Sequence, residues 1–179
     1  MKQPSSVRSW NRRRERLLSG EESLIEINIP GQNTYRFEYL VLDLNGTISL
    51  DGNIIEGVPE RLESLRSMVD ISIVTADTRG RAQELGKKLH VRIHKIATGD
   101  EQAQKLKLVQ HLGSGTTVSI GNGSNDAAML KESVLGICIL GPEGASSEAM
   151  AYCNLITPDI NSALDLLLKP DRLIATLRK

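Results

Sequence analysis

The 179-residue chain holds only one Trp, three Tyr and one Phe, so whatever core it builds is aliphatic. Its two cysteines, Cys138 and Cys153, are too few for a disulfide framework or a Cys-x-x-Cys site. Both sit in apolar stretches, where a small buried hydrophobe is the expectation. A surplus of one charge is also missing: 22 Lys and Arg offset 22 Asp and Glu, with a pI near 6.8. That balance gives no general case for nucleic acid or an anionic membrane surface. No apolar run approaches the ~18 residues of a spanning helix. The basic N-terminus lacks the apolar segment of a secretory signal. A cytoplasmic protein without membrane contact is expected.

What is present is enough for one domain. Hydrophobic residues make up 40% of the chain. Residues 1–22 stand apart, with Arg8, Arg12, Arg13, Arg14 and Arg16 among few apolar residues. They are expected to form a flexible, solvated extension; the alternative is a basic tail for RNA, lipid or an acidic partner. Residues 23–179 are expected to form a single domain. "LIEINI" alternates and stops at Pro30-Gly31, as a strand and turn do. "YRFEYLVLDL" alternates and then turns continuously apolar, like a central strand. "TISLDGNIIEG" places Asp51-Gly52 between two short β-prone halves, a hairpin signal. Beyond it, strand-like runs ("ISIVTAD", "VRIHKIA", "TTVSIGNG", "LGICIL", "CNLIT") alternate with helical ones ("PERLESLRSM", "TRGRAQELGKKL", "DEQAQKLKLVQHLG", "SNDAAMLKES", "GASSEAMA"). This rhythm predicts an α/β fold: a mostly parallel sheet with helices on both faces.

In such sheets the ligand site lies beyond the carboxyl ends of the strands. There the first central strand gives Asp43, Asn45 and Thr47, the next Thr75 and Asp77, and "TTVSI" leads to Asn122, Asn125 and Asp126. Lys105 lies near the start of the preceding helix. Two carboxylates among amide oxygens make a hard, oxygen-only pocket that suits Mg²⁺. Thr75 and Lys105 are donors for phosphate oxygens, and Gly46, Gly121 and Gly123 let backbone N–H groups approach an anion. The chemistry implied is phosphoryl transfer with Asp43 as nucleophile.

The strings "DLNGT", "VTAD", "QKLKLVQHL" and "GNGSNDAAML" occur in the order of motifs I to IV of the haloacid dehalogenase (HAD) superfamily. They most resemble the phosphorylation domain of P-type ATPases, across about residues 39–156. The resemblance implies a Rossmann-like three-layer sandwich with a β-hairpin flap and an aspartyl phosphate on Asp43. Mg²⁺ would be held by Asp43, the Asn45 carbonyl, Asn122 and Asp126. Thr75, Ala76, Lys105, Gly46, Thr47 and Asn125 would contact the phosphoryl group, with Asp77 ordering the loop. Lys107 competes with Lys105 as the motif III lysine, but Val109 and Leu112 follow Lys105 at the family spacing.

Two departures bear on function. The general acid/base position, two residues after the nucleophile, holds Asn45, and the usual Gly-Asp of motif IV is Gly121-Asn122. Thr47 and Thr75 are only 28 residues apart, which leaves no room for the nucleotide-binding insertion of P-type ATPases or for a cap domain. The expectation is a capless Mg²⁺-dependent phosphohydrolase, slow and favouring good leaving groups, acting on a phosphorylated small molecule or a phosphoprotein. An oligomer could supply the missing wall. The alternative is a non-catalytic scaffold binding Mg²⁺ and a phosphorylated ligand. Gly141-Pro142 and Gly144 read as a loop without chemistry, and His90, His94 and His111 as surface residues.

Overall fold

The computed structural model of the protein describes residues 24–76 and 81–179. The Arg-rich segment 1–22 and Asp77 lie outside the described residues. Strands β1 (Ile25–Asn28) and β2 (Thr34–Phe37) form an antiparallel ribbon around the Pro30-Gly31 turn. β3 (Tyr39–Asp43) follows after a single residue. The run that reads as one strand is therefore two. The break is at Glu38, whose N–H donates to the Thr116 carbonyl and whose carbonyl accepts from Asp70 N–H. These bonds hand the chain from the ribbon to the main sheet.

β4 (Ser49–Leu50) and β5 (Asn53–Ile54) make the expected hairpin. Asp51 and Gly52 at its tip both have positive φ, 51° and 80°, the pairing that suits a two-residue hairpin turn. Helix α1 (Val58–Leu65) starts at a proline-bearing first turn and buries Val58, Leu62 and Leu65. β6 (Asp70–Thr75), α2 (Arg81–Leu89), β7 (Arg92–Lys95), α3 (Glu101–Leu112), β8 (Thr117–Gly121), α4 (Ala127–Glu132) and β9 (Leu135–Ile139) continue the alternation. They are followed by α5 (Ser147–Tyr152), β10 (Leu155–Thr157), α6 (Ile160–Leu168) and α7 (Pro170–Leu177). Gly86 costs α2 some helix propensity, but a Cβ there would lie 2.4 Å from Ile93 Cγ1, so the glycine lets helix and strand meet.

The main sheet has six strands in the order β10-β9-β8-β3-β6-β7, and every neighbouring pair is parallel. Side chains alternate between its two faces. Leu40 and Leu42 of β3 join Ile71, Ile73, Val118 and Ile120 in the larger core, with Leu62 of α1 and Leu164 of α6. Val41 points the other way, onto Val74, Val109 of α3 and Met129 of α4. Asp43 shares the parity of Val41, so the strand period aims it at the α3 face. β3 is flanked by β6 and β8, which makes it the centre of the sheet and puts Asp43 at the middle of its carboxyl edge. Only the β4–β5 hairpin separates β3 from α1, and only α2 and β7 separate β6 from α3. Among the described residues no helix is long and apolar enough to cross a membrane.

Candidate active site

Asp43 ends β3 in register with Val74 of β6. Facing it, in the second turn of α3, Lys105 is 1% exposed. Its Nζ donates to Asp43 Oδ1 at 2.7 Å and to Asp126 Oδ1 at 2.6 Å. Lys105 and Val109 are one helical turn apart and share the buried face of α3, whereas Lys107 is exposed. The helix phase thus brings Lys105, not its rival, to the site.

Asp126 closes the short 3-10 turn Ser124–Asp126 after β8. Its Oδ2 accepts from the N–H groups of Asn122 and Gly123, at 3.0 and 2.9 Å. Gly121 is required here: a Cβ on it would lie 2.5 Å from Asp126 Cγ. The motif resemblance makes Asp126 a metal ligand; in the structure its Oδ1 takes the Lys105 ammonium and its Oδ2 the two backbone donors. A second set of oxygens lies on the other side of Asp43. Thr47 Oγ1 lies 3.2 Å from Asp43 Oδ2 and 3.3 Å from Asn122 Oδ1, sharing its one proton between them. Asn122 Nδ2 donates to the Gly144 carbonyl at 3.0 Å, which fixes the amide with its oxygen toward Thr47.

The turn after Asp43 is folded by its own backbone. Ile48 and Ser49 N–H both donate to the Leu44 carbonyl, and Gly46 N–H donates to the Ser49 carbonyl. Gly46 has φ 76°, which a side chain would strain. Asn45 is exposed, and among the described residues nothing donates to its carbonyl. Thr75 is buried at the end of β6, with Ala76 next along the chain, and Asn125 is exposed in the 3-10 turn. The structure joins Asp43, Thr47, Lys105, Asn122 and Asp126 by hydrogen bonds, and sets Thr75 one residue past the Asp43–Val74 register pair.

Burial pushes the Asp43 carboxyl up to about 7, helped by the Asp126 charge and opposed by Lys105. Burial pulls Lys105 down, but Asp43 and Asp126 outweigh it and hold the ammonium above its ordinary value. One ammonium between two carboxylates leaves the pocket short of positive charge. Asp43 Oδ2 and Asn122 Oδ1, at 3.2 and 3.3 Å from the one Thr47 hydroxyl, are hard oxygen donors of the kind a divalent cation such as Mg²⁺ takes. Among the described residues no three His, Cys, Asp or Glu side chains gather into a metal cage.

Sequence reasoning misses Glu143, whose Oε2 would lie 2.5 Å from a Cβ on Gly46. Its only signal is the Gly-Pro-Glu-Gly string. His94 is also not the surface residue expected. It sits in β7 with Nε2 buried and without a hydrogen-bond partner among the described residues, and burial, Arg92 and His111 lower its pKa. His90 and His111 are exposed, and of the cysteines Cys138 is buried and Cys153 half-buried.

No family model matches the chain. An uncharacterized protein of Methanocaldococcus jannaschii, MJ0073, is 44% identical over 84 residues, 45% of this chain and 90% of that protein. The chloroplastic copper-transporting ATPase PAA1 of Arabidopsis thaliana is 25% identical over 131 residues, 70% of this chain but 14% of the ATPase. Among solved structures, the 3-deoxy-D-manno-octulosonate 8-phosphate phosphatase of Moraxella catarrhalis, in complex with magnesium, phosphate and KDO, superimposes with a TM-score of 0.59 at 21% identity. It matches 79% of this chain and 94% of its own. A HAD superfamily subfamily III A protein of Legionella pneumophila gives 0.59 at 16% identity, over 78% and 88%. The chain therefore belongs to one family with the M. jannaschii protein, has the HAD superfamily fold in its small capless form, and is similar over part of its length to a P-type ATPase.

Proposed function

We propose that this chain is a Mg²⁺-dependent phosphohydrolase that works through an aspartyl phosphate on Asp43. The observation that carries this reading is the buried Lys105 ammonium bonded to both Asp43 and Asp126. A lysine that far from water is a donor that a third anion, the transferring phosphoryl group, would share. Asp43, the Asn45 carbonyl, Asn122 and Asp126 would hold the cation, and Asp126 also anchors Lys105. The cation supplies positive charge that shields phosphate from carboxylate and favours ionised Asp43.

The remaining steps belong to the chain's own groups. A carboxylate oxygen of Asp43 attacks phosphorus, and the bond to the leaving oxygen breaks with its electron pair. Lys105, Thr75, Asn125 and the backbone N–H groups of Thr47 and Ala76 are assigned to the phosphoryl oxygens, while Gly46, whose own N–H is held by the Ser49 carbonyl, lets the turn approach them. Water then attacks phosphorus and releases Asp43 as carboxylate, its proton passing to solvent. A positioned general acid is worth ~10²–10⁴-fold, and Asn45 cannot serve as one. Acyl phosphates, phosphoanhydrides and aryl phosphates should therefore react. Alkyl phosphates, including sugar phosphates of the kind named for the M. catarrhalis enzyme, should be poor. The water step lacks its base as well, so phosphoenzyme should accumulate.

The test is acid quench after incubation with labelled acetyl phosphate and Mg²⁺. Hydroxylamine-labile label is expected in the wild type, none in Asp43→Asn, and less label with faster turnover in Asn45→Asp. Absence of label in a folded wild type would sink the enzymatic reading. It would leave the second one, a scaffold that binds Mg²⁺ and a phosphorylated ligand without turnover, which the two asparagines favour.

A further inference from the structure

We infer that Glu143 supplies the negative charge that Asn122 does not bring to the cation site. The inference rests on the reading that the Asp43–Asn122 corner holds a divalent cation.

The loop after β9 is a tight, braced turn. Gly144 N–H donates to the Gly141 carbonyl at 3.2 Å, closing four residues. Pro142 occupies the second position, where a fixed φ near −65° is favourable, and Glu143 the third. Gly141 and Gly144 have φ 50° and 78°, so both ends of the turn need glycine. The turn is then tied to the site on two sides. Asn122 Nδ2 donates to the Gly144 carbonyl, and Ser146 N–H donates to the Asn122 carbonyl at 2.8 Å. Ser146 in turn caps α5 through Ala149 N–H. On the other side, a Cβ on Gly141 would lie 3.5 Å from the Gly46 carbonyl oxygen. Glu143 is thus presented by a short, fixed corner rather than by a free loop.

Its carboxylate faces the asparagine that stands in the acidic position. A Cβ on Gly46 would lie 2.5 Å from Glu143 Oε2, 2.9 Å from Asn122 Nδ2 and 3.1 Å from Asn122 Oδ1. Glu143 and Asn122 therefore converge on one point, beside the backbone that carries the Asn45 carbonyl. Asn122 is 9% exposed, while Glu143 is exposed and keeps one side in water. Among the described residues no Lys or Arg pairs with Glu143. Glu143 brings a further carboxylate to the Asn122 side of this corner, where Lys105 is already shared between Asp43 and Asp126. The ties to Asn122 run through Gly144 and Ser146 and fix the corner, and it is the Glu143 carboxylate itself that approaches Gly46.

The experiment is calorimetric titration of the full chain with Mn²⁺ and with Mg²⁺, for wild type, Glu143→Gln, Asn122→Asp and the double variant, with melting curves to confirm folding. Glu143→Gln should bind roughly tenfold more weakly, the effect of one unit charge on a divalent ion a few ångströms away in water-like surroundings. Asn122→Asp in the Glu143→Gln background should restore the wild-type affinity. Equal affinity in wild type and Glu143→Gln overturns the inference, whatever happens to turnover. So does a wild type that binds no cation while Asn122→Asp does, and in that case the site reading survives. If neither binds, the reading of the corner as a cation site fails as well.

Discussion

Two ion clusters in this molecule are inverses of each other. At the carboxyl edge of the sheet, one ammonium serves two carboxylates, and Lys105 and Asp126 are each 1% exposed. On α6, one carboxylate serves three cations: Asp165 accepts from Arg61 at 2.8 Å, Lys169 at 2.9 Å and Arg172 at 3.4 Å. There the cation side chains are 29%, 50% and 58% exposed. Water and salt screen the second cluster, so its imbalance costs little. The first is shielded from water, so its imbalance is expressed in the raised Asp43 carboxyl. The distinction separates a screened cluster that joins α1, α6 and α7 from a buried one whose charges act on each other.

The largest effect should come from removing the shared cation. Lys105→Met leaves Asp43 and Asp126 buried and facing each other, and should cost roughly 3–5 kcal/mol in urea unfolding at pH 8. A loss below about 1 kcal/mol would mean that the buried cluster behaves like the surface one.

Relieving the imbalance should do the opposite. Asp43→Asn removes one of two carboxylates that compete for a single lysine, and Tm at pH 8 should rise by about 2–4 °C, the shift that about 1 kcal/mol gives a domain of this size. The sign with pH follows from the raised carboxyl. In the folded state Asp43 takes up its proton near 7 rather than 3.8, so the wild type gains stability as pH falls through that window. The advantage of the variant should shrink between pH 7 and 4. An advantage that grew on acidification would contradict the raised value.

The smallest effect belongs to the surface. Asp165→Asn should cost at most about 1 kcal/mol and lose most of even that in 1 M salt. A loss as large as that of Lys105→Met would erase the comparison.

Much of the fold and of the site is legible in the amino-acid sequence. Strand period and glycine placement locate Asp43 and the loop after Gly121, because both signals are local. The choice of Lys105 over Lys107 rests on the motif spacing to Val109 and Leu112, and the buried face of α3 that carries Lys105 and Val109 agrees with it. What the sequence does not reveal is long-range. The break at Glu38 depends on bonds to Thr116 and Asp70, distant in the chain. The Lys105–Asp126 bond depends on where α3 docks. Glu143 is hidden because Gly-Pro-Glu-Gly reads as an ordinary turn; its meaning lies in the Gly46 backbone across from it. His94 reads as polar and exposed, yet β7 packing turns its Nε2 inward.

The ribbon of β1 and β2 has a consequence for how the fold comes together and apart. Gln32 Nε2 donates to the Leu177 carbonyl, 145 residues away, and Lys179 N–H donates to the Pro30 carbonyl at 3.2 Å. Closing so long a loop carries an entropy penalty that local contacts escape. The hairpin can form early, but its clasp with α7 must wait for the rest of the chain to be in place. The clasp joins the ribbon that leads into β3, whereas Asp43 lies at the opposite, carboxyl end of that strand. Fraying of the clasp would therefore be a local opening of low free energy, one that leaves Asp43, Lys105 and Asp126 assembled while the far end of the domain breathes.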